Sequence, residues 1–479
     1  MTAPALPRAA GRWAAVLRCA APAALLAVLG GLLVSRRQSL WYDELYTAET
    51  GTAGLGALLR AVVDGTGTAQ YLADVPPSYN APYYVAVHVW LAVTGLPADD
   101  VGLRLLSLVA MVAAVAVLVR AVERLAGPAA GVAAGLLAAS GPLVVEYAVE
   151  ARMYGLAALA VAVAALGLAR WLDGAPRGLL LHATGAAAAG LAHWFTLPVL
   201  AGLALAALLL RGRAALPVVG TTAVGALPVV ALVGLLYANG TGTSAVGLIN
   251  PSSQPLPVAA LEAWAAGSAA LLLALAVAAV LAVLAAVRQP DRRPAAVVAA
   301  CWLGVPLLLV WAADAVRPVF VPRYLLAALL GVAVLAALGT AASGRLRVPL
   351  TAALVVLQLL AAAPLLDRPP REDAKGAVEA LVAVHEPGTP VVAVDRRAAL
   401  ALDHYAPPSL RADLVLPPAD PPPGAREVWL VRNANGTRLR ESDDDVLLRA
   451  AGLQVLEVRF FPGSRTGVAL QRWGTPAGG

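Results

Sequence analysis

Eleven long apolar runs leave this chain few ways to fold. They fall at about 13–34, 101–122, 128–146, 152–170, 178–192, 194–210, 215–236, 266–287, 296–313, 320–341 and 347–366. Several approach 20 residues, enough for a helix rising ~1.5 Å per residue to cross about 30 Å of hydrocarbon. Composition agrees, with 60% hydrophobic and 13% charged residues. Soluble domains run nearer about 45–50% apolar and about 25% charged. These values exclude a soluble enzyme, a disordered chain and an ordinary nucleic-acid binder. The expected fold is a polytopic α-helical membrane protein with about eleven spanning helices. The first run follows Arg8 and Arg12 and resembles a signal peptide. It is too long for one and no small-residue cleavage site precedes Trp41, so it reads as a signal anchor.

The arginines orient the spans. With the N-terminus in the cytoplasm and eleven alternating spans, the inner segments carry Arg120/Arg124, Arg170/Arg177, Arg211/Arg213, Arg288/Arg292/Arg293 and Arg345/Arg347. Each holds at least two, as the positive-inside rule asks; Arg36/Arg37, just outside the first span, is the exception. The loops at 35–100 and 237–265 and the tail then lie on the extracytoplasmic face of the cell membrane. The stretch 81–95 is apolar but spans only roughly 22 Å as a helix, too short to cross. Counting it would invert every later loop, so it reads as an interfacial helix in the first outer loop. Most acids also fall on the outer face. Carboxylates barely affect insertion, so their concentration there points to a site, although loop solvation accounts for part of it.

Residues 1–366 form the expected membrane domain and 367–479 a separate one. The net charge of +6 resides in the first part, whereas the tail is nearly balanced and rich in Asp, Glu, Arg and Pro. Its helical stretch 374–384 and β-rich stretches 390–394, 427–432 and 453–461 fit a small extracytoplasmic α/β domain. Nothing in it declares chemistry. Only Lys375 among the 35 basic residues is a lysine. Cys19 and Cys301 lie in apolar runs, and five scattered histidines lack metal-ligand spacing, so neither a metal nor another cofactor is expected. A carboxylate-bound divalent ion stays open. Asn239-Gly-Thr241 and Asn435-Gly-Thr437 match a glycosylation pattern and read first as turns.

Five short segments at the outer ends of the runs carry the candidate chemistry. Trp41-Tyr42-Asp43-Glu44 places two carboxylates at the membrane surface, where one could serve as a general base on a hydroxyl. A solvated loop start with an interfacial aromatic belt explains the same residues. Pro76-Pro77-Ser78-Tyr79-Asn80-Ala81-Pro82-Tyr83-Tyr84 ends the loop with prolines and leads into the short outer helix with an aromatic wall and hydroxyl donors; an interfacial anchor is its plainer reading. Glu150-Ala151-Arg152-Met153-Tyr154 sets an acid and an arginine where helix meets outer face. An arginine there suits a phosphate oxygen, or else an internal ion pair. His193-Trp194 marks another outer junction. Arg317 and Arg323-Tyr324 add arginines on the same face, each also explicable by snorkelling.

Taken in order, these segments resemble the C-type (GT-C) glycosyltransferases. The set is a signal anchor with an Asp-Glu pair, a Pro-Pro-x-Tyr-x-x-Pro-Tyr-Tyr entry to a short helix, Glu-Ala-Arg-Met-Tyr, and a late Arg-Tyr before a helix. The nearest resemblance is to glycosyltransferase family 39 and its bacterial kin, including protein O-mannosyltransferases and the aminoarabinose transferase of lipid A. It covers about residues 13–340; the tail carries no matching motif. It implies a GT-C fold and transfer of a mannose-like or pentose sugar from a polyprenyl-phosphate donor, at the outer face, to a hydroxyl of a glycan, lipid or protein. Asp43 would be the base, with Glu44 beside it. Arg152 would meet the donor phosphate, and Arg323 with Tyr324 would make a second phosphate or headgroup contact, supported by Glu150 and His193. Tyr42, Asn80, Tyr83 and Tyr84 would face the acceptor or sugar. Two departures are Leu45-Tyr46, where a more polar start is expected, and His193-Trp194-Phe195, where His-Tyr-Phe is usual. A transporter or flippase for lipid-linked glycans is the competing class. It predicts charges inside the spans and a repeat between halves, and neither is seen.

Overall fold

The computed structural model describes residues 8–36, 39–77, 80–239, 255–436 and 439–475. Every one of the eleven apolar runs is helical in it. Among the described residues, eight helices are long and apolar enough to cross a membrane, or nine when the bent pair Pro128–Ser140 and Pro142–Ala148 is counted as one span. The chain is a multi-pass helical membrane protein, with fewer qualifying spans than eleven. Two features of the backbone make the difference. The helix Gly178–Ala192 has only 15 residues, too few for a crossing of ~20 residues. The runs at 194–210 and 215–236 form one 45-residue apolar stretch, interrupted by the 3-10 turn Gly212–Ala215. Proline at the next helix start, where an N–H lacks an intrahelical partner anyway, lets the chain resume there.

Two compact units divide the chain. One comprises residues 1–33 and 104–366; the other comprises residues 34–103 and 367–479. The first long loop thus shares a unit with the tail.

The first unit is a helix bundle built on small residues. With lipid tails as apolar as leucine, helices associate through close backbone approach. Gly167 shows this: a Cβ there would lie 2.3 Å from the backbone nitrogen of His182. Helix Tyr154–Leu172 therefore packs directly on Gly178–Ala192. Two acids near the arginine-rich helix ends pair with arginines. Glu123 bridges Arg18 and Arg120, and Arg124 meets Asp173 at 2.9 Å.

The second unit is α/β. Its mixed sheet has the order β2-β1-β3-β5-β4, with β1 Val391–Ala393, β2 Leu414–Val415, β3 Glu427–Ala434, β4 Gln454–Phe461 and β5 Gly467–Gly474. β1 runs parallel to β2 and β3, and β5 lies antiparallel between β3 and β4. Val392, Val428, Leu430, Leu448, Leu453 and Trp473 fill its core. The expected helix at 374–384 is Ala374–Val382, and the three expected strands are β1, β3 and β4. From the loop come helices Tyr42–Thr52, Leu55–Asp64 and Ala81–Thr94, the last being the short apolar stretch expected at 81–95. Gly240, Thr241 and Thr437 of the two Asn-Gly-Thr motifs lie outside the described residues.

Candidate functional site

In the bundle, three breaks between helices converge. The first is 149–153, between helices Pro142–Ala148 and Tyr154–Leu172. Here the Arg152 N–H donates to the Glu150 carbonyl at 2.6 Å, and the Ser107 hydroxyl donates to the Arg152 carbonyl at 2.7 Å. The second is His193, whose extended backbone (φ −161°) ends Gly178–Ala192 and starts the 3-10 turn Trp194–Thr196. Its Nδ1 accepts the Phe195 N–H at 3.2 Å. The third is the 3-10 turn Pro322–Leu325, which leads into helix Leu326–Ala342. Irregular backbone inside a helix bundle is tolerated where protein or a cavity surrounds it.

The breaks bring together Tyr154, His193, Arg323 and Tyr324. Arg323 Nε donates to the Tyr154 hydroxyl at 2.9 Å. The His193 ring stands 5.1 Å from Tyr324 and 6.0 Å from Tyr154, centroid to centroid. Phe195 closes the group, 5.0 Å from Tyr324, and Tyr147 packs edge-on to Tyr154 at 5.3 Å. Glu150 is 1% and Arg152 7% exposed. Charged side chains at such depth are costly and mark binding or proton-handling positions by default. A guanidinium is more weakly hydrated than an ammonium and matches phosphate oxygens bidentately, which suits it to this setting. The sequence motifs contain Tyr154 and Phe195 but assign neither a role of its own.

The remaining candidates lie in the second unit. Trp41 precedes helix Tyr42–Thr52, which places Asp43 and Glu44 in the first turn. Acids there are favoured by the partial positive charge of the helix N-terminus. The two carboxylates differ. Glu44 is 2% exposed, and its Oε2 accepts the Trp41 N–H at 3.4 Å. Asp43 is half-buried, and its backbone carbonyl accepts the Thr47 hydroxyl at 2.9 Å. Leu45 and Tyr46 are apolar because they are interior, Tyr46 donating its hydroxyl to the Val75 carbonyl at 2.8 Å. Asn80 immediately precedes helix Ala81–Thr94 and is buried. Tyr83 and Tyr84, each 1% exposed, pack this helix on Tyr42–Thr52, with the Tyr84 ring 5.7 Å from Tyr46. Burial pushes the Tyr42 phenol above its ordinary range, with Arg396 opposing and Asp43 reinforcing the shift. Ser78 and Tyr79 lie outside the described residues. No group of three or more His, Cys, Asp or Glu able to hold a metal occurs among the described residues.

Farther along helix Tyr42–Thr52, burial raises the Glu49 carboxyl above its ordinary value, as do the nearby charge of Asp403 and a hydrogen bond to it. Asp403 also accepts the Tyr71 hydroxyl at 2.8 Å. A carboxyl whose pKa is raised by folding stabilises the fold below its unfolded value and loses that contribution as pH rises through the folded value. Glu49→Gln keeps a donor for Asp403 without the charge. It is expected to raise the apparent melting temperature above wild type at pH 8, with the gain vanishing near pH 4. An equal difference at both values would overturn the coupling.

Neither a protein-family model nor a curated protein sequence matches this chain. Solved structures do match. ArnT from Cupriavidus metallidurans in the apo state is 14% identical, with a TM-score of 0.55, over 97% of this chain and 98% of that one. ArnT from the same organism bound to undecaprenyl phosphate is also 14% identical, with a TM-score of 0.59, over 95% of this chain and 97% of that one. The fold of this chain is therefore ArnT-like along nearly its whole length.

Proposed function

We propose that this protein transfers a sugar from a polyprenyl-phosphate donor to an acceptor hydroxyl on the extracytoplasmic side of the membrane. The observation that carries the reading is the group at three helix breaks in which buried Arg152, Tyr154 and His193 meet half-buried Arg323 and Tyr324. It occurs in a chain whose fold, in ArnT, is solved with undecaprenyl phosphate bound.

The chemistry follows from the residue types. The acceptor oxygen attacks C1 of the sugar as the bond from C1 to the phosphate oxygen breaks. The electron pair leaves with the phosphate, so negative charge grows on its oxygens. Fixed guanidinium donors aimed there stabilise the transition state more than the ground state. Arg152 and Arg323 take this role, the latter oriented by Tyr154. The hydroxyl proton passes to a carboxylate. Asp43 takes it, while Glu44 holds the start of its helix through the Trp41 N–H. The expected orientation sets the N-terminus in the cytoplasm and the tail outside.

The test is transfer from radiolabelled polyprenyl-phosphate sugars, mannosyl and pentosyl among them, in membranes containing the protein. Labelled product above control membranes supports the reading, and its chemical nature identifies the acceptor as glycan, lipid or protein. Movement of an intact lipid-linked glycan across the bilayer, with no new glycosidic bond, would favour a flippase instead.

A further inference from the structure

The helix that carries Asp43 is capped only in part by its own sequence, through the Glu44 carboxylate on the Trp41 N–H. The first N–H groups of a helix have no intrahelical partner and usually find a Ser, Thr, Asp or Asn oxygen at the N-cap. Here the N-cap is Trp41, which offers none. The Tyr42 N–H instead donates to Glu372 Oε2 at 3.0 Å, across 330 positions of sequence. Glu372 is 5% exposed, and its other oxygen accepts from Arg397 and from the Thr466 hydroxyl, each at 2.8 Å. Cations of the tail cover the neighbouring rings. The Arg397 guanidinium stands 4.7 Å from the Tyr42 ring centroid, and those of Arg371 and Arg465 stand 4.7 and 5.6 Å from Trp41.

Glu372 is itself fixed by the turn between β4 and β5. The Ser464 N–H donates to the Pro370 carbonyl at 2.8 Å, and those of Arg465 and Thr466 donate to the Arg371 carbonyl at 3.1 and 3.2 Å. Gly463 permits this approach, because a Cβ there would lie 2.2 Å from the Arg371 carbonyl oxygen. A backbone hydrogen bond to a buried carboxylate is charge-assisted and roughly twice as strong as a neutral one. It acts on the residue immediately before Asp43, so a shift of Glu372 is passed to the Asp43 backbone through one peptide unit.

We infer that Glu372, assisted by Arg397, is a positioning residue for Asp43, which ties the tail to the residue proposed as the base. The role of Asp43 rests on the transfer reading above; the positioning rests on the contacts alone.

The experiment compares the full-length protein with Glu372→Gln and Gly463→Ala. Two readouts are taken: amide hydrogen exchange, and transfer kinetics with a radiolabelled undecaprenyl-phosphate sugar. In both variants the peptide covering 41–46 is expected to exchange about tenfold faster, with β3 still protected. The kcat falls about tenfold to a hundredfold, the scale of a small misplacement, and KM for the donor stays within about twofold. Unchanged exchange over 41–46 overturns the inference. So does faster exchange throughout β3, which would mean that Glu372 supports the tail as a whole. So does a loss confined to KM. If the wild type transfers no sugar, the transfer reading fails, while exchange over 41–46 still decides the positioning.

Discussion

Asp43→Asn is expected to lower kcat for sugar transfer by about a hundredfold or more, the usual worth of a general base, with undecaprenyl phosphate bound as tightly as before. Asparagine keeps the shape of the side chain and removes its capacity to take a proton. Hydrogen bonds through Glu44, Glu372 and the backbone carbonyl of Asp43 also hold the helix start, so amide exchange over 41–46 that matches wild type is what separates chemistry from folding in this variant. Glu44→Gln makes the contrast. Glu44 is buried and bonded to Trp41, and a Gln there still offers an oxygen to that N–H, so its loss of rate should be much smaller. Single-turnover transfer, with lipid binding measured on the same preparations, checks both. Equal rates for Asp43→Asn and wild type would remove Asp43 from the role of base. A larger loss for Glu44→Gln than for Asp43→Asn would exchange their roles.

Much of this fold was readable in the sequence, for a simple reason. In a bilayer the backbone must satisfy itself, so a long apolar run has little alternative to a helix. All eleven runs are helices. Their count as spans was harder, because length and not composition decides it. Gly178–Ala192 is apolar but has only the 15 residues of the run itself, the same length that excludes 81–95 as a span.

The tail was less legible. β5 carries Gln471 and Arg472 amid its apolar residues and so escaped notice. Helix Arg396–Tyr405 was likewise missed, although the Asp395 side chain caps it with two backbone N–H contacts. An Asp before an amphipathic stretch is a usable start signal. The candidate residues 41–44, 150–154, 193 and 323–324 stood out because charge and aromaticity are rare beside apolar runs. Glu372, Arg371 and Arg397 did not, because nothing near them in sequence distinguishes them from an ordinary solvated tail. Their importance comes from pairing with a loop more than 300 residues earlier, a relation that no local pattern encodes.

Replacement of the bundle arginines should produce the opposite signature to Asp43→Asn. Arg152→Gln is expected to cost about 10²–10³-fold in kcat/KM, the range for removing one donor from a developing oxyanion, and to weaken undecaprenyl phosphate binding as well. A ground-state phosphate already carries charge, so an arginine that holds it contributes before the reaction starts and more as the leaving oxygen ionises. Arg323→Gln should show the same pattern, and Tyr154→Phe a weaker one. The Tyr154 hydroxyl accepts from Arg323 Nε, so its loss frees the guanidinium to turn without removing its charge. The double variant Arg152→Gln/Arg323→Gln is the decisive arm. Two arginines acting on one phosphate are coupled, so the double loss should differ from the sum of the single losses by more than about 0.5 kcal/mol, the usual error of additivity for independent sites. Additive losses would place the two arginines on different groups, Arg323 then contacting a lipid headgroup rather than the donor phosphate. Wild-type binding of undecaprenyl phosphate by Arg152→Gln would remove Arg152 from the phosphate site, whatever happened to the rate.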